Sequence, residues 1–177
     1  RILILEKARY PRPKLCAGGL VIDAETLLQR LGLDVSEVPH ADADRIHFDF
    51  EAKGLSIRVP KRHALRVIRR DEFDHWLAKK TESRGVEIRE GVTVRNISPD
   101  QGGVTIETDQ GDFRARVVVG ADGSNGVTRR CLFPTAPVYT ARVLEVIPPR
   151  HHVVASGAVG ATRNDMAYID FFPIPSN

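Results

Sequence analysis

The chain has 177 residues, enough for one medium domain or one and a half small ones, and 42% apolar against 28% charged residues describe a folded protein with a core. A net charge of +3, with basic pairs scattered at Lys61–Arg62, Arg69–Arg70 and Arg129–Arg130, gives no electrostatic case for nucleic acid. Two cysteines cannot build a disulfide framework or a four-ligand zinc site, and no apolar run approaches the ~18 residues of a spanning helix, so a reducing cytosolic setting is the default.

In chain order, RILILEK (1–7) is a continuous apolar run ending in a carboxylate, the profile of a parallel strand covered on both faces. It starts at Arg1 rather than Met, so the chain reads as an internal piece of a longer protein. Residues 8–21 carry two prolines and two glycines and read as a structured loop. From Asp23 to Leu33 a helix is predicted, with Leu27, Leu28 and Leu31 on one face and Gly32 as its stop. RIHFDF (45–50) and LSIRVP (55–60) alternate with period two around Lys53–Gly54, which predicts a hairpin turning there.

Residues 69–85 give the clearest helix. Phe73, Trp76 and Leu77 share a face, acids occupy the first turn, and Gly85 closes it. VTVRNIS, GVTIETD and DFRARVVVGA then read as an antiparallel meander turning at Pro99–Gly103 and Asp109–Gly111. Three further strand-like runs follow: ARVLEVI, HVVASGAV and MAYIDFFPI. The fold class is therefore α/β (α+β) and the organisation discontinuous. Residues 1–40 and 64–135 form an α/β unit that interrupts an antiparallel-sheet unit made of 41–63 and 136–177.

Several residues could carry chemistry. Glu6 ends the first strand, where an acidic residue accepts ribose hydroxyls in dinucleotide folds; a surface glutamate is the plain alternative. RVVVGADGSNGVTRR (116–130) reads as strand, glycine turn and helix. Gly120 and Gly123 permit close backbone approach, Asp122 can accept from a hydroxyl or orient amides, and the helix start offers N–H groups to an anion. An ordinary strand–turn–helix has the same letters. Arg70 stands at a helix N-terminus, an unfavourable place for a cation unless it meets an anionic ligand or water. Cys16, between Lys14 and Gly18–Gly19, either lines a pocket or packs. His151 and His152 would point to opposite faces of a strand, so no metal site is expected, and His63 and His75 read as structural.

Taken together, ILEK, PRPKLCAGGL, RRDEFDHWL and VVVGADGSNGVTRR resemble, in order and spacing, the geranylgeranyl reductase family of FAD-dependent oxidoreductases, a branch of the flavoproteins with the p-hydroxybenzoate hydroxylase type of fold. The resemblance covers most of residues 1–135. It implies a fragment of a Rossmann-like FAD-binding domain with a β-meander, plus part of an antiparallel substrate-binding sheet. The glycine-loop βα unit would lie upstream and a GD segment downstream. It also implies that Glu6 holds the adenosine ribose, and that Arg12 belongs to the loop beside the cofactor. Arg70 would contact the cofactor near the flavin end, with Gly120, Asp122 and Gly123 near the pyrophosphate. Lys14 and Cys16 would lie at the isoalloxazine as candidate catalytic residues. Two departures stand out. Gly126 replaces the usual serine at the cap after the aspartate turn, and Asp170 of YIDFFP stands where the family has tryptophan.

The implied activity is hydride transfer from reduced flavin to a carbon–carbon double bond of an isoprenoid or other apolar small molecule, with NAD(P)H or reduced ferredoxin as electron donor. A redox partner protein and peripheral membrane contact are compatible with it; nucleic acid is not a partner. The alternatives are a flavin monooxygenase, hydroxylase or halogenase of the same fold, or an electron-transfer flavoprotein linked to quinone or ferredoxin. The 177-residue piece alone is expected to be inactive.

Overall fold

The structure, a computed structural model, describes residues 1–50 and 53–137, and the backbone of 166–171. It is a mixed α/β chain with several small sheets, divided into two compact units. One comprises Arg1–Arg12 with Asp74–Val143, the other Pro13–Phe73 with Leu144–Asn177.

In the first unit, β1 (Leu3–Glu6) pairs in parallel with β7 (Glu87–Glu90), placing Glu6 opposite Glu90 at the carboxyl ends of both strands. Helix α2 (Arg70–Ser83) contributes its residues from Asp74 onward to this unit. Acids in its first turn and Gly85 beyond its end with φ +81° set its limits. The predicted meander is present as β8 (Val94–Asp100), β9 (Gly103–Thr108) and β10 (Gly111–Ala115), with Ile97 and Ile106 paired across the ladder and both buried. Helix α3 (Val127–Leu132) packs on β8.

Two expectations fail in this unit. The run Val117–Val119 is not a strand: β10 stops at Ala115, and Val117 and Val119 are 75% and 84% exposed. Its β propensity has no ladder to join among the described residues, and a strand exists only through its pairing. Nor is β1 covered on both faces, because Ile2 and Ile4 are exposed and β7 is its sole partner among the described residues.

In the second unit, β6 (Leu65–Ile68) is the centre of a three-stranded antiparallel sheet, flanked by β2 (Gly19–Leu20) and β3 (His40–Ala43). Helix α1 (Ile22–Arg30) and a 3-10 turn at Val35–Glu37 precede β3, and Leu33, Val35, Val38, Ala43, Ala64 and Ile68 form the core. The leucine face read from the sequence is not what α1 buries. Leu27 and Leu31 are exposed, and the buried residue is Glu25. Its Oε1 meets His63 Nε2 at 2.6 Å and its Oε2 meets Arg66 Nη1 at 3.5 Å. Arg66 also forms a fork on Asp42 at 2.7 and 2.8 Å, and His63 Nδ1 lies 3.4 Å from Asp42 Oδ2. His63 is therefore a partner in a four-residue charge network, as its isolated place in the sequence did not show.

The hairpin also forms, as β4 (Arg45–Phe50) and β5 (Lys53–Arg58), but Lys53 and Gly54 lie inside β5, opposite Phe50 and Asp49. Gly54 sits against the His47 ring across the strands, so it makes room for a neighbour rather than a bend. The last described strand, β11 (Met166–Phe171), joins β4 in parallel, which makes this sheet mixed rather than antiparallel. ARVLEVI and HVVASGAV, with the pair His151–His152, lie outside the described residues.

Candidate functional site

Ligands of parallel α/β sheets collect at the carboxyl ends of the strands, and here two carboxylates sit side by side there. Glu6 and Glu90 both hold the following loop: Ala8 N–H donates to Glu6 Oε1 at 2.9 Å, and Tyr10 N–H donates to Glu90 Oε2 at 3.1 Å. The Tyr10 hydroxyl lies 3.4 Å from Glu6 Oε2, and its ring stacks on His75 with centroids 6.3 Å apart. Burial, followed by the Glu6 charge, pushes the Tyr10 phenol above its ordinary range, so it stays a donor. Tyr10, His75 and Glu90 were not legible as site residues, because each reaches Glu6 or its loop only through the fold.

Arg12 closes the cluster. Its guanidinium lies over the Tyr10 ring, its Nη1 is 3.4 Å from the buried Asp74, and its Nε is 3.7 Å from Glu6 Oε2. That Nε is buried and has no hydrogen-bond partner among the described residues. A buried guanidinium N–H without an acceptor is costly, by roughly 1–3 kcal/mol or more. It marks a place where an outside acceptor would fit. Glu6 has acceptor capacity left on each oxygen, so the pair can meet both the donors and the acceptors of a hydroxylated, anionic ligand.

In the glycine–aspartate turn ahead of α3, Asp122 orients a backbone amide, one of the two roles its place in the sequence suggested. Asp122 Oδ2 accepts from Thr128 N–H at 2.9 Å, so the carboxylate itself engages the start of the helix. Burial raises the Asp122 carboxyl, but the surrounding amides of Thr128, Asp122 and Val127 hold it below the ordinary range. Gly123 has φ +81°, and no atom of the described residues lies within 4 Å of where its Cβ would stand, so its backbone is open to approach among them. Gly120 faces the Thr128 side chain. The two arginines that follow fold back on the turn: Arg129 Nε donates to Ser124 O at 2.7 Å, and Arg130 Nη1 donates to Asn125 O. With α3 only six residues long and its Thr128 amide engaged, the helix start is no anion cradle by itself.

Lys14, Cys16 and Arg70 belong to the second unit. Lys14 is exposed, Cys16 is half-buried, and Arg70 is half-buried as the first residue of α2. Gly18 N–H points to Cys16 Sγ at 3.4 Å, and Gly18 O accepts from Ile68 N–H at 3.0 Å. A Cβ on Gly18 would collide with the Ile68 carbonyl, and its φ is +75°, so only glycine can pin this loop to β6. Next to it, Arg69 pairs with Asp71 at 2.6 Å and Glu72 at 3.3 Å. Among the described residues no group of three or more His, Cys, Asp or Glu side chains could hold a metal ion, and no helix is long and apolar enough to cross a membrane.

Residues 1–160 match the FAD binding domain family. The chain belongs to it. A relative of this FAD binding domain in Methanosarcina barkeri, an uncharacterized protein, is 29% identical over 129 residues, spanning 73% of this chain and 33% of its own length. The rifampicin monooxygenase of Streptomyces venezuelae is 29% identical over 147 residues, spanning 81% of this chain and 31% of its own length. The chain thus spans about a third of the curated relatives it matches. Among solved structures, the p-nitrophenol 4-monooxygenase PnpA from Pseudomonas putida DLL-E4 superposes with a TM-score of 0.60 at 19% identity, covering 73% of this chain and 36% of its own, a likeness of fold. The FAD expectation therefore stands on the family, and the orphaned Arg12 Nε beside Glu6 is a structural feature that fits it.

Proposed function

We propose that the whole protein is an FAD-dependent oxidoreductase of the monooxygenase type, hydroxylating a small apolar or aromatic substrate with NAD(P)H as electron donor. What carries this reading over isoprenoid reduction is the match to a monooxygenase across 81% of the chain, inside an FAD binding domain. Substrate, dioxygen, NAD(P)H and a proton would give hydroxylated substrate, water and NAD(P)⁺. FAD, when bound, supplies the two-electron chemistry that activates dioxygen.

The chain's own residues would bind, orient and shield. Glu6 would accept hydrogen bonds from ribose hydroxyls, and Arg12 would direct its Nε–H, which has no hydrogen-bond partner among the described residues, to a ligand acceptor beside it. Gly120 and Gly123 would let the backbone approach the pyrophosphate, with Asp122 holding their turn in shape. Arg70 would meet the cofactor near the flavin end. The Lys14–Gly19 loop would run along the isoalloxazine with Cys16 toward the reacting face. Its attachment to β6 gives that loop the fixed position such a role needs.

Full-length enzyme, supplied aerobically with NAD(P)H and a panel of phenols, should consume dioxygen in step with hydroxylated product. Reduction of an isoprenoid double bond without dioxygen uptake would return the assignment to the reductase reading, for which the Lys14–Cys16–Gly18–Gly19 motif speaks. Ferredoxin- or quinone-linked turnover without a small-molecule product would mark an electron-transfer flavoprotein. A redox partner and membrane contact belong to those two readings. In the same assay, Cys16→Ser should retain stoichiometric flavin but turn over several-fold more slowly; unchanged turnover would leave Cys16 a packing residue.

A further inference from the structure

We propose that Asp74 is a positioning residue for the cofactor: its buried carboxylate holds the Arg12 guanidinium so that the Nε–H is presented beside Glu6. This rests on the reading above that Arg12 offers that N–H to FAD. Asp74 stands in an unusual place for an acid. Asp74, Leu77, Ala78 and Thr81 follow at i, i+3, i+4 and i+7 of α2, and with Ile4 of β1 and Ile88 of β7 they line a cleft of about 180 Å³. The helix face turned to the β1–β7 ribbon thus begins with a carboxylate where its period asks for an apolar side chain. Asp74 is also only 8% exposed. A charge taken out of water in such a place costs stability unless it is paired, and an apolar residue would pack there at less cost.

The pairing with Arg12 gives the acid a use. Arg12 Nη1 lies 3.4 Å from Asp74 Oδ2, and the guanidinium lies over the Tyr10 ring, 5.4 Å from its centroid. Tyr10 in turn stacks on His75, so two consecutive residues of α2 bear on the guanidinium, one on its end and one on its plane. A guanidinium is planar and carries its five N–H bonds in a fixed fork. Holding one end on a carboxylate and the plane over a ring therefore sets where the remaining N–H bonds point. One bond so aimed is Nε–H, which is buried and has no hydrogen-bond partner among the described residues. Glu6 Oε2, 3.7 Å away, is beyond hydrogen-bond reach and does not set the guanidinium by itself. Nη1 is the anchor and Nε the contact.

The test is a double-mutant cycle in the full-length apoprotein, with FAD affinity read by fluorescence titration and folding by the thermal midpoint of the apoprotein. Asp74→Asn keeps the size of the side chain and removes its charge. Asp74→Asn and Arg12→Met should each weaken FAD roughly tenfold. The double variant should bind no more weakly than Arg12→Met alone, since Asp74 acts through that side chain. A carboxylate that only supports the fold would cost affinity again in the Arg12→Met background, so losses that multiply overturn the proposal. Unchanged affinity in Asp74→Asn overturns it too, as does an affinity loss that follows the thermal midpoint in every variant. Unchanged affinity in Arg12→Met would instead remove the underlying reading of Arg12. Should Asp74→Asn fail to fold, Asp74→Leu takes its place in the cycle, and failure of both refutes the proposal, because the carboxylate then serves the fold.

Discussion

Glu25→Ala is expected to lower the stability of the chain by about 3 kcal/mol, more than any exposed substitution would. The carboxylate is only 7% exposed, and its removal leaves Arg66, mostly buried, with Asp42 as its remaining counter-charge among the described residues, and takes away the hydrogen-bond partner of His63 Nε2. Breaking a buried ion network from one side costs more than the network contributes, because the surviving charges keep their desolvation penalty. Replacing Glu25 and His63 together by leucine should therefore recover much of the loss. Urea unfolding followed by circular dichroism reads both; an unmoved midpoint in Glu25→Ala would show the network to be idle. The same network gives an acid limit. The Arg66 hydrogen bonds hold the Asp42 carboxyl below its ordinary value. Its contribution is therefore fully present above the unfolded-state pKa, about 3.9, and fades as pH falls through the lower folded value.

Asp122→Ala should strip FAD from the full-length protein during purification, with affinity falling on the order of 10- to 100-fold. The substitution removes the acceptor for Thr128 N–H and the group around which residues 120–128 close. The flavin-to-protein absorbance ratio after gel filtration checks it, and stoichiometric flavin in the variant would contradict the role given to this turn. The sign of the pH effect follows from the same amides. Because they hold the Asp122 carboxyl low, the ionised acceptor persists through mildly acidic solution, and protonation should loosen flavin only below the ordinary aspartate range. Loss of flavin already at pH 6 would point to another group.

The parts of this fold that were legible in the sequence are those fixed by neighbours in the chain. The periodicity of Phe73, Trp76 and Leu77 and the closing Gly85 define α2, and the turns at Pro99–Gly103 and Asp109–Gly111 define the meander. What escaped depends on distant partners. Residues 25, 42, 63 and 66 are unremarkable one by one, yet they meet in a single ion network. Val117–Val119 has the letters of a strand without a described ladder, and the parallel pairing of β11 with β4 joins segments over 100 residues apart. At the candidate site, Glu6 and the glycine turn announced themselves by position. Gly126 was legible only as a departure from the usual serine; that it lies against the Asp122 carboxylate was not.

The β1–β7 ribbon has a practical consequence. Ile2, just ahead of β1, and Ile4 within it stand exposed, and the second edge of β1 has no partner among the described residues, while Val117 and Val119 are exposed outside any described strand. Unpaired edges and exposed β-branched side chains are templates for intermolecular pairing. Handled on its own, the chain carries its own glue, so solubility screens and crystallisation trials should begin by masking that ribbon rather than by altering the glycine–aspartate turn.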